Sequence, residues 1–358
     1  MSFTIWTNHQ VAESSARRLR DGLKGHRLVV SDVTNRSVLA AGTRDPKLAE
    51  AEIAWGQPDV ADCLQYDRLR WIAVTTAGYT RYDREDLRET LRARGAAMTN
   101  TSSVFADPCA QHVLAMMLAL ARQLPQSWRD QATDHSWHYE KRRYDSHLLT
   151  GQTVLLLGFG AIGRRLAELL APFRVTLLAC RRQVRSERGV RVIAPEAISS
   201  ALAEADHVVN ILPENDDTRG FVNARRLSCC KPGARFYNVG RGPTVDHRAL
   251  LEALHSGRLA SAYLDVFDTE PLPPEDPLWT APNCFITPHT AGGAPRPGRC
   301  AGGSLPGESR GIRARRAVDG SVYLVPTRRR GATGAPFVAL RWSEELHPGN
   351  KPGRKVLR

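Results

Sequence analysis

Several features that would assign this 358-residue chain to a membrane or secreted class are missing from its sequence. It contains no run of about 18 or more apolar residues, so we expect no membrane-spanning helix. Its first residues, MSFTIWTNHQ, lack the basic region and long apolar stretch of a secretory signal. The sequence therefore predicts a cytoplasmic protein without a membrane partner.

The sequence also lacks any C-x-x-C pair, although it contains seven cysteines. They are Cys63, Cys109, Cys180, Cys229, Cys230, Cys284 and Cys300. An odd number without paired spacing is typical of free thiols in a reducing compartment. We therefore expect no metal site.

Acidic residues are scarce only near the C-terminus. The net charge of +13 suggests nucleic-acid binding, but residues 296–358 hold 14 of the 50 basic and 4 of the 37 acidic residues. The preceding 295 residues are close to neutral, with 36 basic and 33 acidic side chains. Because the excess belongs to the tail, we predict no nucleic-acid partner for the folded part.

Two kinds of sequence meet near Pro295. Before it, short apolar runs alternate with helical patterns, which is typical of βα units. The predicted strands lie at 3–8, 27–32, 52–56, 69–76 and 96–100, and then at 152–158, 174–180, 207–212, 234–239, 261–267 and 284–288. Their density of Val, Leu, Ile and Phe suits parallel sheets buried on both faces. The predicted fold class is α/β, with two doubly wound parallel-sheet domains.

The predicted domains are a substrate-binding domain at 1–103, a cofactor domain at 104–293 and a basic tail at 294–358. A buried helix from Cys109 to Leu124 is expected after the first domain, with Asp107 as its N-cap and Pro108 as its first residue. The tail is rich in Arg, Gly, Pro and Ser without an apolar period, which predicts disorder. Within it, 321–326 and 336–340 could form isolated strands.

A glycine motif directly follows the predicted strand at 152–158. Gly158, Gly160 and Gly163 form G-x-G-x-x-G between the apolar run TVLLL and the helical run RRLAELL. In that context the pattern indicates a dinucleotide site: a tight turn, close approach to the pyrophosphate and close helix packing. The amides of Ala161 and Ile162 would face phosphate oxygens at the helix N-terminus.

The acidic residue that usually holds the ribose hydroxyls about 20 positions later is absent. The second strand of this domain instead ends in Arg181 and Arg182. Two guanidiniums suit a 2′-phosphate, so the sequence favours NADP over NAD. The alternative is two solvated surface arginines, in a chain where 44 of the 50 basic residues are Arg.

Three candidate catalytic residues lie in segments that follow predicted strands. Arg241 lies in NVGRG, Glu270 in LDVFDTEPL and His289 in TPHTAG. Reduction of a 2-keto acid requires a proton donor, for which histidine is best suited near neutral pH. A carboxylate stabilises the protonated ring, and an arginine binds the substrate carboxylate and polarises the keto oxygen.

These segments resemble the D-isomer-specific 2-hydroxyacid dehydrogenase family, which includes phosphoglycerate dehydrogenases and glyoxylate/hydroxypyruvate reductases. The resemblance runs from about Leu69 to Gly293. Further matching segments are LRWIAVTTAG at 69–78, HVLAMMLALAR at 112–122, LLxGQTV at 148–154 and LPENDDT at 212–218. It implies a Rossmann cofactor domain inserted into a flavodoxin-like substrate domain, and a homodimer.

The resemblance also implies roles for individual residues. It carries catalysis onto Arg241, Glu270 and His289, and substrate-carboxylate binding onto the backbone of Ala77 and Gly78. The implied cofactor contacts are Ala161, Ile162, Pro213, Thr218, Gly240 and Asp265, the last facing the nicotinamide carboxamide.

The sequence departs from the family at two places. Gln111 stands where members often have Glu, and the expected amphipathic helix after the His289 segment is replaced by the basic tail. One hypothesis is a reading-frame shift near residues 294–297; the alternative is a genuine lineage-specific tail. Translation of the gene in its other two frames distinguishes the two hypotheses. If a frameshift occurred, one of those frames encodes the missing helix; if the tail is genuine, neither does.

The leading functional prediction is an NAD(P)-dependent oxidoreductase that interconverts a small D-2-hydroxy acid and its 2-keto acid. The alternatives are a cofactor-sensing, corepressor-like binding protein on the same fold and an inactive product of a damaged gene.

Overall fold

The computed structural model describes residues 2–9, 13–35, 42–293, 312–316 and 322–326. Contacts between Cα atoms divide the chain into two compact units. One contains Met1–Thr101 and the other is Ser102–Pro295.

The first unit is built on a five-stranded parallel sheet. Its strands are β1 Thr4–His9, β2 Arg27–Asn35, β3 Ile53–Gly56, β4 Trp71–Val74 and β5 Ala97–Thr99. Its helices are α1 Glu13–Gly22, α2 Val60–Gln65 and α3 Glu85–Ala93, with 3-10 turns at Pro46–Glu50 and Thr80–Tyr82. The strand order β2-β1-β3-β4-β5 is that of flavodoxin-like folds.

Both faces of this sheet are covered because neighbouring strand residues alternate between two apolar clusters. Trp6 and Ile72 face the cluster that contains Leu87 of α3, whereas Ile5 and Trp71 face the cluster joined by α1. Because successive side chains of a strand point to opposite faces of the sheet, each face is buried against its own cluster, as predicted for parallel sheets buried on both faces.

The second unit is built on a seven-stranded parallel sheet. Its strands are β6 Thr153–Leu157, β7 Thr176–Cys180, β8 Arg191–Ile193, β9 His207–Asn210, β10 Ala234–Asn238, β11 Leu259–Leu264 and β12 Cys284–Ile286. Its helices are α4 Ala106–Ala121, α5 Leu124–Ala132, α6 Tyr139–Asp145, α7 Ala161–Leu170, α8 Ile198–Glu204, α9 Ala224–Ser228 and α10 His247–His255. Short 3-10 turns lie at Ser102–Phe105, Ala171–Phe173, Pro195–Ala197, Gly242–Thr244 and Pro277–Thr280.

The strand order of the second sheet is β12-β11-β10-β9-β6-β7-β8, so the winding reverses between β6 and β9. This is the Rossmann arrangement, in which ligands bind outside the carboxyl ends of the strands at the reversal. The two sheets confirm the predicted doubly wound α/β fold. The short strand β8 was not predicted.

The predicted N-cap of α4 is wrong. The helix begins at Ala106, one residue before Asp107, because the 3-10 turn Ser102–Phe105 continues directly into it. Phe105 occupies the cap position without a side-chain hydrogen bond, and Asp107 instead pairs with Arg165 at 2.6 Å.

Within the described part of the chain, Ser102–Ala121 is the one helical stretch long and apolar enough to cross a membrane, judged by length and composition alone. Ala110, Val113 and Met117 of this stretch are fully buried against Leu166 and Leu170 of α7. This packing is that of a core helix in an α/β unit.

Two antiparallel strands are described in the tail, β13 Ile312–Arg316 and β14 Val322–Pro326. The second falls in the predicted strand at 321–326, whereas the first falls in the stretch predicted to be disordered. The predicted strand at 336–340 and the proposed frameshift position at 294–297 lie outside the described residues.

Candidate active site

The glycine turn after β6 has the geometry that a dinucleotide requires. Gly158 has φ +97°, a left-handed conformation that side chains rarely adopt, and its amide donates to the carbonyl of Cys180 at 3.0 Å. A Cβ on Gly163 would lie 3.0 Å from the Gly158 carbonyl oxygen, a tight contact, so glycine favours the close packing of α7 on the turn. A Cβ on Gly160 would meet no described atom within 4 Å, which leaves open space beside the turn.

The first turn of α7 leaves donors for an anion. Gly160 is the N-cap residue and has no side chain, so it makes no side-chain cap to the amides of the first turn, which begins with Ala161 and Ile162. Amides at a helix N-terminus favour phosphate oxygens. Together with the open space at Gly160, these residues fit the pyrophosphate of a dinucleotide.

The arginines at the end of β7 are paired with acids. Arg181 contacts Glu187 at 3.2 Å, and Arg182 contacts Asp217 at 3.0 Å. Sequence reasoning missed Glu187, because its approach depends on a turn that brings the chain back from residue 187 to residue 181.

The backbone at Gly240 and Arg241 is held in place by a cluster of buried polar side chains. Asn210 donates to the side chains of Asn238 and Thr244 at 3.0 and 2.7 Å. Thr244 in turn donates to the Arg241 carbonyl at 2.6 Å, and the amide of Gly240 donates to Asn238 at 3.1 Å. Because these bonds link the ends of β9 and β10 to the following turn, the position of Arg241 is set by the sheet itself.

Among the residues that the structure describes, the Arg241 guanidinium has no paired acid. It donates to the Gly240 carbonyl at 2.6 Å, and no acid in the described residues lies within ion-pair distance of it. Burial lowers the pKa of Arg241, while the charges of Glu270 and Glu214 act in the opposite direction. A partly buried cation without a counter-ion is suited to bind an anionic ligand.

Glu270 and His289 form the closest acid–histidine contact at this edge. The His289 Nδ1 lies 2.6 Å from Glu270 Oε2, and each side chain is 25% exposed. The other Glu270 oxygen accepts the Phe267 amide at 2.9 Å, which fixes the carboxylate. Since a carboxylate accepts, Nδ1 carries the hydrogen and Nε2 is the nitrogen left for proton exchange. Glu270 therefore contacts His289 directly, and its charge also acts to raise the pKa of Arg241, which links the three predicted catalytic residues electrostatically.

Asp265 holds the loop that carries His289. Its buried carboxylate accepts the Thr287 hydroxyl at 2.5 Å and the amides of Thr290 and Ala291 at 2.8 and 3.0 Å. The amide of His289 donates to the Asp265 carbonyl at 2.9 Å, and His289 has φ +52°. These bonds stabilise a left-handed backbone that costs about 1 kcal/mol or more for a residue with a side chain. The sequence predicted a nicotinamide contact for Asp265 but not this anchoring function.

The remaining predicted cofactor residues lie on loops that follow β9 and β10. Thr218 donates to the Pro213 carbonyl at 2.6 Å, which closes the loop after β9. A Cβ on Gly240 would lie 2.7 Å from the Leu212 carbonyl oxygen, so glycine is needed where the two loops approach.

The predicted substrate residues Ala77 and Gly78 belong to the first unit, on the loop after β4. Asn100 donates to the Ala77 carbonyl at 2.9 Å, and the Thr76 hydroxyl donates to the Gly78 carbonyl at 2.7 Å. The Gly78 carbonyl is thus engaged within the loop, and the Ala77 carbonyl by the residue that follows β5. In the described residues no group of three His, Cys, Asp or Glu side chains is placed to hold a metal ion.

The fold and glycine turn define a dinucleotide-binding α/β protein. Residues 114–291 match the family model described as "D-isomer specific 2-hydroxyacid dehydrogenase, NAD binding domain". The chain is 30% identical over 263 residues to glyoxylate/hydroxypyruvate reductase B of Escherichia fergusonii, covering 73% of this chain and 81% of that protein. The chain belongs to the D-isomer-specific 2-hydroxyacid dehydrogenase family.

Two further relatives extend this result. The chain is 33% identical over 231 residues to a glyoxylate reductase of Pyrococcus furiosus, covering 62% of this chain and just under two thirds of the relative, 66%. A solved D-isomer-specific 2-hydroxyacid dehydrogenase from Xanthobacter autotrophicus Py2, in complex with NADPH and MES, is 30% identical. Its TM-score is 0.69, with coverage of 81% of this chain and 89% of that one.

Proposed function

We propose that this chain is an NAD(P)-dependent oxidoreductase that interconverts a small D-2-hydroxy acid and its 2-keto acid. The observation that carries the proposal is the cluster at the carboxyl edge, in which Glu270 contacts His289 while Arg241 has no described acid partner. The relatives named as glyoxylate and hydroxypyruvate reductases point to small 2-keto acids as substrates.

The nicotinamide cofactor supplies the hydride when it is bound. Arg241 binds the substrate carboxylate and polarises the keto oxygen, because its guanidinium offers several donors in a fixed plane. His289 donates a proton from Nε2 to that oxygen in reduction and accepts it in oxidation. Glu270 holds the ring and stabilises its protonated form. The amides of Ala77 and Gly78 and the carboxylate of Asp265 stay predicted contacts of substrate and cofactor.

NADP is the proposed cofactor, with NAD as the alternative. Arg181 and Arg182 lie directly after β7, where the fold places the adenosine ribose. The Xanthobacter autotrophicus relative was solved with NADPH. The adjacent acids Glu187 and Asp217 oppose this preference.

An absorbance assay at the nicotinamide band tests the proposal with glyoxylate and hydroxypyruvate as first substrates. We expect turnover in the unaltered protein and a loss of about 10²-fold in kcat/KM for Arg241→Lys, because lysine keeps the charge but not the planar donors. Arg248→Lys is the matched control, since the Arg248 side chain is 91% exposed on α10. Cofactor binding without turnover would instead support the corepressor-like alternative, and binding of neither ligand would support a damaged gene.

The homodimer also stays a prediction. The region 104–150, which follows the first predicted domain and is consistent with a homodimer, contains large exposed side chains, including Trp128, Trp137 and Tyr144. Exposed aromatic groups of this size are typical of interfaces between proteins. Sedimentation velocity on the full chain would measure the association directly.

A further inference from the structure

One carboxylate lies between two guanidiniums beside the glycine turn. Glu187 Oε2 lies 2.7 Å from Arg164 Nη1, and Glu187 Oε1 lies 3.2 Å from Arg181 Nη1. The Glu187 and Arg181 side chains are 21% and 22% exposed, so solvent screens this group less than a fully exposed surface pair. The hydrogen bond from Arg164 lowers the pKa of Glu187, which keeps it ionised.

The backbone places Glu187 there through a tight turn before β8. The amide of Val190 donates to the Glu187 carbonyl at 3.2 Å, and Gly189 supplies the left-handed residue, with φ +74°. Arg164 extends from the first turn of α7 and lies over the Phe159 ring, 5.0 Å from its centroid. Glu187 therefore joins the helix after the glycine turn to the residue that follows β7.

This location is where the fold places the adenosine ribose of a dinucleotide. The ribose hydroxyls of NAD can donate to a carboxylate, whereas the 2′-phosphate of NADP carries close to two negative charges and is repelled by one. The acidic residue expected at the end of β7 is missing from the sequence. Glu187, from the following turn, instead places a carboxylate next to Arg181, the residue that follows β7.

We propose that Glu187 sets the balance between NAD and NADP at this site. It serves as the acceptor for unphosphorylated ribose and offsets the attraction of Arg164 and Arg181 for a 2′-phosphate, so NADP is favoured less strongly than the two arginines alone would favour it. This inference rests on the proposed function, because it assumes that a nicotinamide dinucleotide occupies the glycine turn.

Equilibrium binding of NADPH and NADH, measured by titration calorimetry without substrate, tests the inference. In Glu187→Gln we expect the ratio of the NADH Kd to the NADPH Kd to rise about fivefold to tenfold, because one negative charge near the 2′-phosphate is removed. The matched control is Glu168→Gln. Glu168 also pairs with an arginine of α7, Arg165 at 2.7 Å, but lies on the exposed surface. The ratio of the two Kd values should therefore stay unchanged in Glu168→Gln.

A second variant predicts the opposite sign. Arg164→Gln removes one of the two cations that compensate Glu187, so NADPH binding should weaken more than NADH binding and the ratio should fall. The inference is overturned if the ratio in Glu187→Gln stays within twofold of the unaltered protein, or if Glu168→Gln raises it equally. If the unaltered protein binds neither dinucleotide, the proposed function itself fails and this role fails with it.

Discussion

Two histidines of the second unit show how differently the two ends of one sheet use the same side chain. His207, at the start of β9, is fully buried, with Nδ1 3.0 Å from the Tyr237 hydroxyl and Nε2 2.6 Å from Gln152 Oε1. His289, beyond the end of β12, has a carboxylate on Nδ1 and is partly exposed. The first ring is saturated by uncharged partners, whereas the second keeps one nitrogen for chemistry. Whether a histidine is structural or is available for proton transfer thus depends on its hydrogen-bond partners and its exposure.

The largest effect that would sharpen this comparison is expected from His289→Asn. Asparagine tolerates the left-handed backbone found at this residue, so the loop should keep its conformation while the proton donor is lost. We expect kcat for keto-acid reduction to fall about 10³-fold, with the Kd for NADPH nearly unchanged. Steady-state kinetics and calorimetry measure the two quantities.

His255→Asn is the matched control for that substitution. His255 ends α10, where its Nδ1 lies 2.8 Å from the Leu251 carbonyl on the exposed surface, and its loss should leave kcat within twofold. A His289→Asn protein that keeps most of its activity would show that proton transfer takes place elsewhere.

A smaller effect is expected from Glu270→Gln. Glutamine still accepts the Phe267 amide, so the substitution removes the charge beside His289 while keeping the loop contact. We expect kcat to fall about 10²-fold, because a carboxamide stabilises a protonated imidazole far less than a carboxylate does.

Asp268→Asn removes the same charge two residues earlier in the same loop. The Asp268 side chain is 53% exposed and lies 3.8 Å from His247, a distance too long for a strong pair. If kcat fell equally in the Asp268 and Glu270 variants, the total negative charge of the loop would be responsible for the loss, rather than the contact between Glu270 and His289.

The sequence predicts most of this fold because buried parallel strands are continuous apolar runs. β6 and β10 appear at the predicted places, since TVLLL and ARFYN bury nearly every residue. Strand β8 escapes prediction because Arg191 leads a run of three residues with little burial. Short edge strands are defined by pairing, which a single segment does not reveal.

The site is predicted less completely than the fold, for a physical reason. Arg241, Glu270 and His289 stand in distinctive strings, but their supports are long-range contacts. Asn210 reaches Asn238 and Thr244 across 28 and 34 residues, and no local pattern signals such bonds. Those supports were therefore visible only in three dimensions, and the same holds for the way Asp265 anchors the His289 loop.

The smallest expected effect concerns His207 and is on stability. Burial lowers the pKa of His207 to about 3, with the charge of Arg235 acting in the same direction and Asp206 opposing it. Between pH 6.5 and about 3 the unfolded chain therefore binds a proton that the folded protein does not, so stability rises with pH across this window. From pH 7 to pH 5 the unaltered protein should lose about 2 kcal/mol of unfolding free energy through this group.

His207→Gln should remove that loss while leaving kcat unchanged. At pH 7 the variant should be less stable by about 1 kcal/mol, because one of the two ring hydrogen bonds is lost. At pH 5 the order should reverse, with the variant more stable by about 1 kcal/mol, because only the unaltered protein loses stability through this residue and the other titrating groups are shared. Urea unfolding at both pH values measures the difference. A constant difference between the proteins would mean that His207 titrates alike in both states, and a fall in kcat would tie the amino end of the sheet to catalysis.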